Sequence, residues 1–147
     1  MRTEKGFREE YSFLSNFTYF DKPMTYGRLY FVSNEHFYQA MKFSRNSVHR
    51  KEVSNHPSKG LKKYVNSSKS EWRKDWDDIK LEVMLYGLRY KFSEHNPALR
   101  QKLIDTGDIE LVEFNWWNDK FFGVCLKSGE GENNLGKLLM QVRREIS

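Results

Sequence analysis

The stretch Ser33–Phe43, SNEHFYQAMKF, sets an acid, a histidine, a glutamine and a lysine among aromatic rings and a methionine. On an α-helix measured from Glu35 at about 100° per residue, Gln39 falls at about 40° and Lys42 at about −20°. These three share a face. Phe37, Ala40 and Met41 lie opposite, His36 and Phe43 sit at the edge, and Tyr38 flanks the polar stripe. A carboxylate, an amide and an ammonium so aligned can do chemistry: the acid manages protons or positive charge, the amide fixes orientation and the base holds a phosphate. Periodicity alone favours the plainer arrangement, an apolar face on a core and a solvated polar face. His36 reads as a packed or capping histidine.

Further along, Glu113 and Asp119 flank FNWWN, whose two indoles are costly to expose, so at least one is expected to pack or stack. The Gly-rich run GEGENNLG (129–136) precedes a helical segment and can cradle an anion on its amide groups, although a flexible turn is the plainer reading. It lacks the Gly-Lys-Ser/Thr of a Walker loop, and the chain has no Gly-x-Ser-x-Gly and no His-Glu-x-x-His. His49, His56 and His95 show no metal spacing, so no metal site is expected. The single cysteine, Cys125, rules out an internal disulfide and a cysteine zinc site.

The elements that must position these groups follow from the rest of the chain. Its 147 residues fit one domain, 1–147. Aromatic residues make up 16% of the sequence, which disfavours disorder and predicts a ring-rich core. Residues 11–32 read as short extended pieces, with DKPMTYG as a loop and RLYFV as a strand. Ser33 caps a helix running from Asn34 to about Phe43. Residues 44–70 read as short helices and loops. Trp76, Ile79, Val83, Tyr86 and Tyr90 recur at helical spacing through Phe92. Asn96 caps a helix starting at Pro97 and stopping at Gly107. IELVEF and FFGVCL read as strands, and Asn134 caps a last helix whose apolar face is Leu135, Leu138, Leu139, Val142 and Ile146. The sum is a mainly helical α+β single domain with a few short strands.

The start, MRTEKGFREE, is too polar for a signal peptide, and no apolar run approaches the roughly 18 residues of a membrane span. A reducing cytoplasm, without membrane contact, is the expected setting. Charge is uneven: between Lys42 and Lys74 ten Lys/Arg face only Glu52 and Glu71, while the whole chain carries +5. Such a segment attracts phosphates, on a nucleotide or a nucleic acid, or is a solvated face with chance asymmetry.

FLSNF (13–17), SNEHFYQAMKF (33–43), RKDWDDIKLEVM (73–84), KFSEHNPALRQKLIDTGDIELVEFNWWND (91–119) and GEGENNLGKLLMQVR (129–143), in this order, resemble the NADAR, or YbiA-like, family from about residue 7 to residue 146. The resemblance implies an α+β fold that cleaves N-glycosidic bonds with no metal or redox cofactor. It implies a ribosyl-phosphate or ADP-ribosyl substrate: either a phosphorylated ribosylaminopyrimidine intermediate of riboflavin synthesis or ADP-ribose on a nucleobase, notably guanine, with DNA as the carrier. Carried across, Glu35 and Asp119 are the catalytic carboxylates, with Glu35 central. Trp76 stacks the base. Lys42, Lys59 and Lys63 hold phosphate. Asn16 and Gln39 orient sugar or base, and Asn133 matches the asparagine of the family's Gly-x-Gly-x-Asn turn. The chain departs from the family at Phe122, where members carry Trp, and at Lys62–Lys63, where they carry Gly-Arg. Lysine keeps the charge but not the bidentate fork of arginine. The competing expectation is a module that binds ADP-ribose or nucleic acid without turnover.

Overall fold

Turn chemistry starts the fold. The computed structural model describes residues 2–4 and 6–147. A 3₁₀ turn over Glu9–Leu14 buries Phe13 and Leu14, where extended chain was expected. Strands β1 (Tyr19–Tyr26) and β2 (Leu29–Ser33) then pair antiparallel as a hairpin. Its two central residues, Gly27 and Arg28, have φ of 57° and 67°, the left-handed geometry whose twist suits flanking strands. DKPMTYG is therefore strand and turn rather than loop. Buried Phe20 and Met24 draw it onto the core, and an irregularity in register between Tyr19 and Met24 accommodates Pro23, which has no N–H to pair.

Helix α1 (Asn34–Ala40) starts at its expected cap: Ser33 Oγ accepts the His36 N–H at 3.1 Å. It stops at Ala40, and Lys42 and Phe43 follow in tight turns. Every residue of α1 is buried, so its polar face does not meet bulk solvent. It is enclosed by β2, α2 (Val48–Ser54), α3 (Leu61–Ser67) and α4 (Trp76–Lys91). Phe37 anchors the apolar side, edge-on to Phe31 and Tyr26 and stacked on Tyr86. His36 is neutral support, as expected. Its Nε2–H donates to the His56 carbonyl at 2.7 Å, leaving Nδ1 to accept the Ser33 hydroxyl, and burial lowers its pKa.

Helix α5 (Pro97–Asp105) follows Asn96, but that side chain is not a cap. It accepts the Lys22 N–H and donates to Tyr90 O, joining the hairpin to α4. IELVEF and FFGVCL shrink to a parallel two-residue pair, β3 (Phe114–Asn115) and β4 (Val124–Cys125). The chain ends in α6 (Asn134–Ile146), capped in position by Asn133 rather than Asn134. The fold is mixed α+β. Among the described residues, no helix is long and apolar enough to cross a membrane.

Candidate active site

Against the polar face of α1 lies a cavity of about 450 Å³. Glu35, Tyr38, Gln39 and Lys42 form its floor. The Ser15–Phe17 loop, the Lys62 and Asn66 face of α3, and Glu113, Trp117, Asp119 and Phe122 from the β3–β4 region close it. The helix therefore turns a carboxylate, an amide and an ammonium inward on the same face that periodicity identified.

Glu35 is only 5% exposed. Its backbone N–H donates to Asn16 O at 2.9 Å, and its Oε1 accepts the Gln39 side-chain N–H at 3.0 Å. The other end of the Gln39 amide, Oε1, is buried without a hydrogen-bond partner among the described residues, an acceptor left for a donor entering the cavity. Asn16 is held from behind: its Oδ1 accepts Asn34 Nδ2–H at 3.0 Å, and both amides lean on Met84 Sδ. Asp119 uses Oδ1 to accept the N–H groups of Phe121 and Phe122, while Asn115 clamps its backbone on both sides.

Five of the expected residues therefore converge: Glu35, Asp119, Asn16, Gln39 and Lys42. Four do not line this cavity. Lys59 and Lys63 are exposed elsewhere; with Leu61 and Val65 buried, the helical turn presents Lys62 and Asn66 to the cavity and carries Lys63 past it. Trp76 is 6% exposed, with its ring T-shaped to Tyr38 at 4.9 Å, and it lines the adjoining cavity rather than this one. Asn133 turns away: Nδ2 donates to Leu111 O at 2.9 Å and Oδ1 accepts the Glu113 N–H at 3.0 Å. The Gly-rich loop does not offer an open anion cradle either. The N–H groups of Glu132 to Leu135 are taken by carbonyls of residues 120–123. Neither indole of FNWWN is buried: Trp116 is 55% and Trp117 58% exposed, and Trp117 borders the cavity.

Glu113 is the residue that sequence reasoning noticed without assigning. Burial pushes its carboxyl up to about 7, and the charges of Asp119 and Glu35 add to this against the opposing pull of Lys62 and Arg8. Only its position flanking FNWWN pointed to it. Lys42 is pushed down to about 8, first by burial, with Glu35 holding the proton on and Lys62, Lys69 and Lys80 repelling it. Its ammonium sits 4.2 Å from the Trp72 ring centroid and 5.5 Å from that of Tyr38. Burial first, then Glu35, Asp119 and Asp77, raise the Tyr38 phenol, which stays protonated. The cavity thus carries a buried carboxylate, a carboxyl that titrates near neutrality, a third carboxylate and three cations, Arg8, Lys42 and Lys62. Among the described residues, no group of three or more His, Cys, Asp or Glu could hold a metal ion.

A mixed α+β fold with this carboxylate-rich cavity defines a class, and comparison with known proteins supplies the family. The NADAR domain model matches residues 3–147, and the chain belongs to that family. It is similar to a riboflavin biosynthesis protein of Vibrio vulnificus, at 35% identity over 138 residues, which is 94% of this chain but only 36% of the relative. It is 32% identical over 140 residues to the N-glycosidase YbiA of Escherichia coli, covering 95% of this chain and 84% of the relative. An N-glycosidase of Nostoc punctiforme is 36% identical over 124 residues, covering 80% and 75%. The NMR structure of the E. coli protein YbiA superposes with a TM-score of 0.82 at 30% identity, over 99% of this chain and 83% of that one.

Proposed function

We propose that this chain is an N-glycosidase that hydrolyses the bond between C1′ of a phosphorylated ribose and a nitrogen of its base or amine. The observation that carries this reading is a buried carboxylate, Glu35, facing the same cavity as a carboxyl, Glu113, that still holds a proton near neutral pH. The names of its relatives support it: two are N-glycosidases and one is a riboflavin biosynthesis protein, so a ribosylaminopyrimidine phosphate is one candidate substrate and an ADP-ribosylated base the other. A cavity of about 450 Å³ suits one nucleotide-sized ligand. A module that merely held an anion would gain nothing from three carboxylates beside it. A single buried thiol suits a reducing cytoplasm.

Breaking the C1′–N bond leaves positive charge on the sugar and an electron pair on nitrogen. Glu35, fixed by Gln39 and by its own backbone anchor, stabilises the cationic sugar. Glu113 gives its proton to the departing nitrogen. Water then bonds to C1′ through oxygen, and its proton returns to the Glu113 carboxylate. Asp119, with one oxygen tied to backbone amides, orients the ribose hydroxyls or the water with the other. Gln39 Oε1 accepts from a sugar hydroxyl, and the Asn16 amide faces the sugar beside it. Lys42 and Lys62 hold the phosphate, and Phe17 and Trp117, exposed at the rim, stack the base.

Turnover in heavy-oxygen water tests the reaction. Hydrolysis puts the label on C1′ of the released sugar phosphate. Label in the base product, or no release from ribosylaminopyrimidine phosphate or ADP-ribosylated guanine, overturns the reading.

A further inference from the structure

A second cavity of about 420 Å³ shares the wall formed by Tyr38, Lys42 and Phe122 with the first. Beyond that wall it is lined by Lys69, Trp72, Arg73, Lys74, Lys80 and Phe121 among others. Five cations reach it, and only one carboxylate, Asp77, lines it. Two of the five have charged partners. Arg73 is paired bidentately with Asp75, and Lys80 lies 3.4 Å from Asp77. Lys69 and Lys74 have no carboxylate within ion-pair distance among the described residues. Three of the cations stand against rings: Lys42 and Lys69 lie 4.2 and 5.6 Å from the Trp72 centroid, and Lys80 lies 4.1 Å from that of Phe121. The Trp72 indole N–H is spent on Val65 O, which holds the ring in place as a wall. Concave low-dielectric walls focus a field of one sign and so concentrate an opposite charge.

We infer that this second cavity is an anion site for a further phosphate of the substrate, one not held in the first cavity. Lys42, whose ammonium belongs to both cavities, lies between the two phosphates. Its affinity for a proton is lowered first by burial, and the smaller repulsion from Lys62, Lys69 and Lys80 is the part that an arriving anion relieves. The site rests on the glycosidase reading only for what the ligand is, a phosphate ester of a longer nucleotide. That second phosphate comes either from a diphosphate bridge or from a phosphodiester strand.

Inorganic pyrophosphate, titrated while backbone and indole N–H signals are followed by NMR, tests the anion site without turnover. The expected result is a saturable shift of Trp72 and of Lys69–Lys74, with the apparent Kd raised at least about tenfold in a K69A/K74A variant. Both lysines are exposed, so the variant keeps its fold. Shifts confined to Lys62 and Asn66, or an unchanged Kd in the variant, overturn the inference. If these shifts occur while no N-ribosyl bond is cleaved, the anion site stands and the glycosidase reading falls; the reverse pattern separates them the other way. ADP-ribose and a short deoxyribonucleotide, each competed against pyrophosphate, identify the source by which displaces it at lower concentration. Displacement by neither also overturns the inference.

Discussion

At the scale of single residues, two carboxylates divide the proposed chemistry by their surroundings. Glu35→Gln keeps the shape and removes the charge, so kcat for N-ribosyl cleavage is expected to fall by about 10²–10³-fold with the melting temperature little changed. Steady-state kinetics beside a thermal melt measures both. Glu113 works in its protonated form, so kcat falls as pH rises through about 7, and Glu113→Gln abolishes that alkaline limb along with about 10²–10⁴ of rate. The stability effect has a definite sign. The folded carboxyl keeps its proton to about 7, while the unfolded one loses it near the ordinary 4.5. Its contribution is therefore whole below about 4.5 and lost by about 7, and Glu113→Gln raises the melting temperature above neutrality but not at about pH 4. Glu35, Gln39 and Lys42 were legible in the sequence because helical spacing is local. Glu113 was not, because its proton affinity comes from burial and from the charges of Asp119 and Glu35, and its backbone N–H is held by Asn133, twenty residues away. The same distance effect acted in the other direction at Asn133, whose side chain is spent on backbone contacts to Leu111 and Glu113.

At the scale of elements, α1 is a buried strut whose polar face lines a cavity, and α4 must come close enough to support it. Gly87 permits that approach. A Cβ there would lie 1.8 Å from Asn34 Oδ1 and 3.2 Å from Phe37 Cδ2. Gly87→Ala is expected to cost roughly 1–3 kcal/mol in denaturant unfolding. It should also lower kcat, because Asn34 positions Asn16 and Asn16 O holds the Glu35 backbone. Helix α3 gives a paired prediction. Lys62→Ala raises KM for the phosphorylated substrate about tenfold, while Lys63→Ala changes it by less than about twofold, because only the first faces the cavity. Equal effects would place the phosphate elsewhere. The capped helices, the Pro97 start and the long α4 were legible from periodicity and stop signals. The hairpin was missed because Pro and Gly read as loop, whereas an irregularity and two left-handed residues absorb them. The strands near residues 109–126 were overextended because, outside the short β3–β4 pair, their backbone groups bond Thr3 and the turn at residues 132–135 rather than a neighbouring strand.

At the scale of the whole molecule, charge and burial are unevenly spread, and both leave measurable traces. The basic segment from Lys42 to Lys74 supplies every cation of the first cavity except Arg8, and all but Lys80 of the second. Its excess was legible in composition; that it curls around two adjoining cavities was not, because that depends on how α3 and α4 flank α1. Lys91, fully buried with its ammonium on Ser15 O at 2.7 Å, is pushed down to about 7 by burial. The unfolded amine protonates below about 10.5 and the folded one resists until about 7, so stability is lost as pH falls across that window. The melting-temperature difference between Lys91→Met and the parent is therefore expected to be more favourable to the variant at about pH 6 than at about pH 10, with the lost Ser15 bond a constant offset. The central claim is that a buried Glu35 drives cleavage of an N-ribosyl bond, and release of base followed by mass spectrometry tests it most directly. Parent protein and Glu35→Gln are each incubated with ribosylaminopyrimidine phosphate and with ADP-ribosylated guanine DNA. The parent is expected to release free base and sugar phosphate from at least one substrate, slowed at least about 10²-fold in the variant. Release at equal rates by both proteins, or by neither, would contradict it.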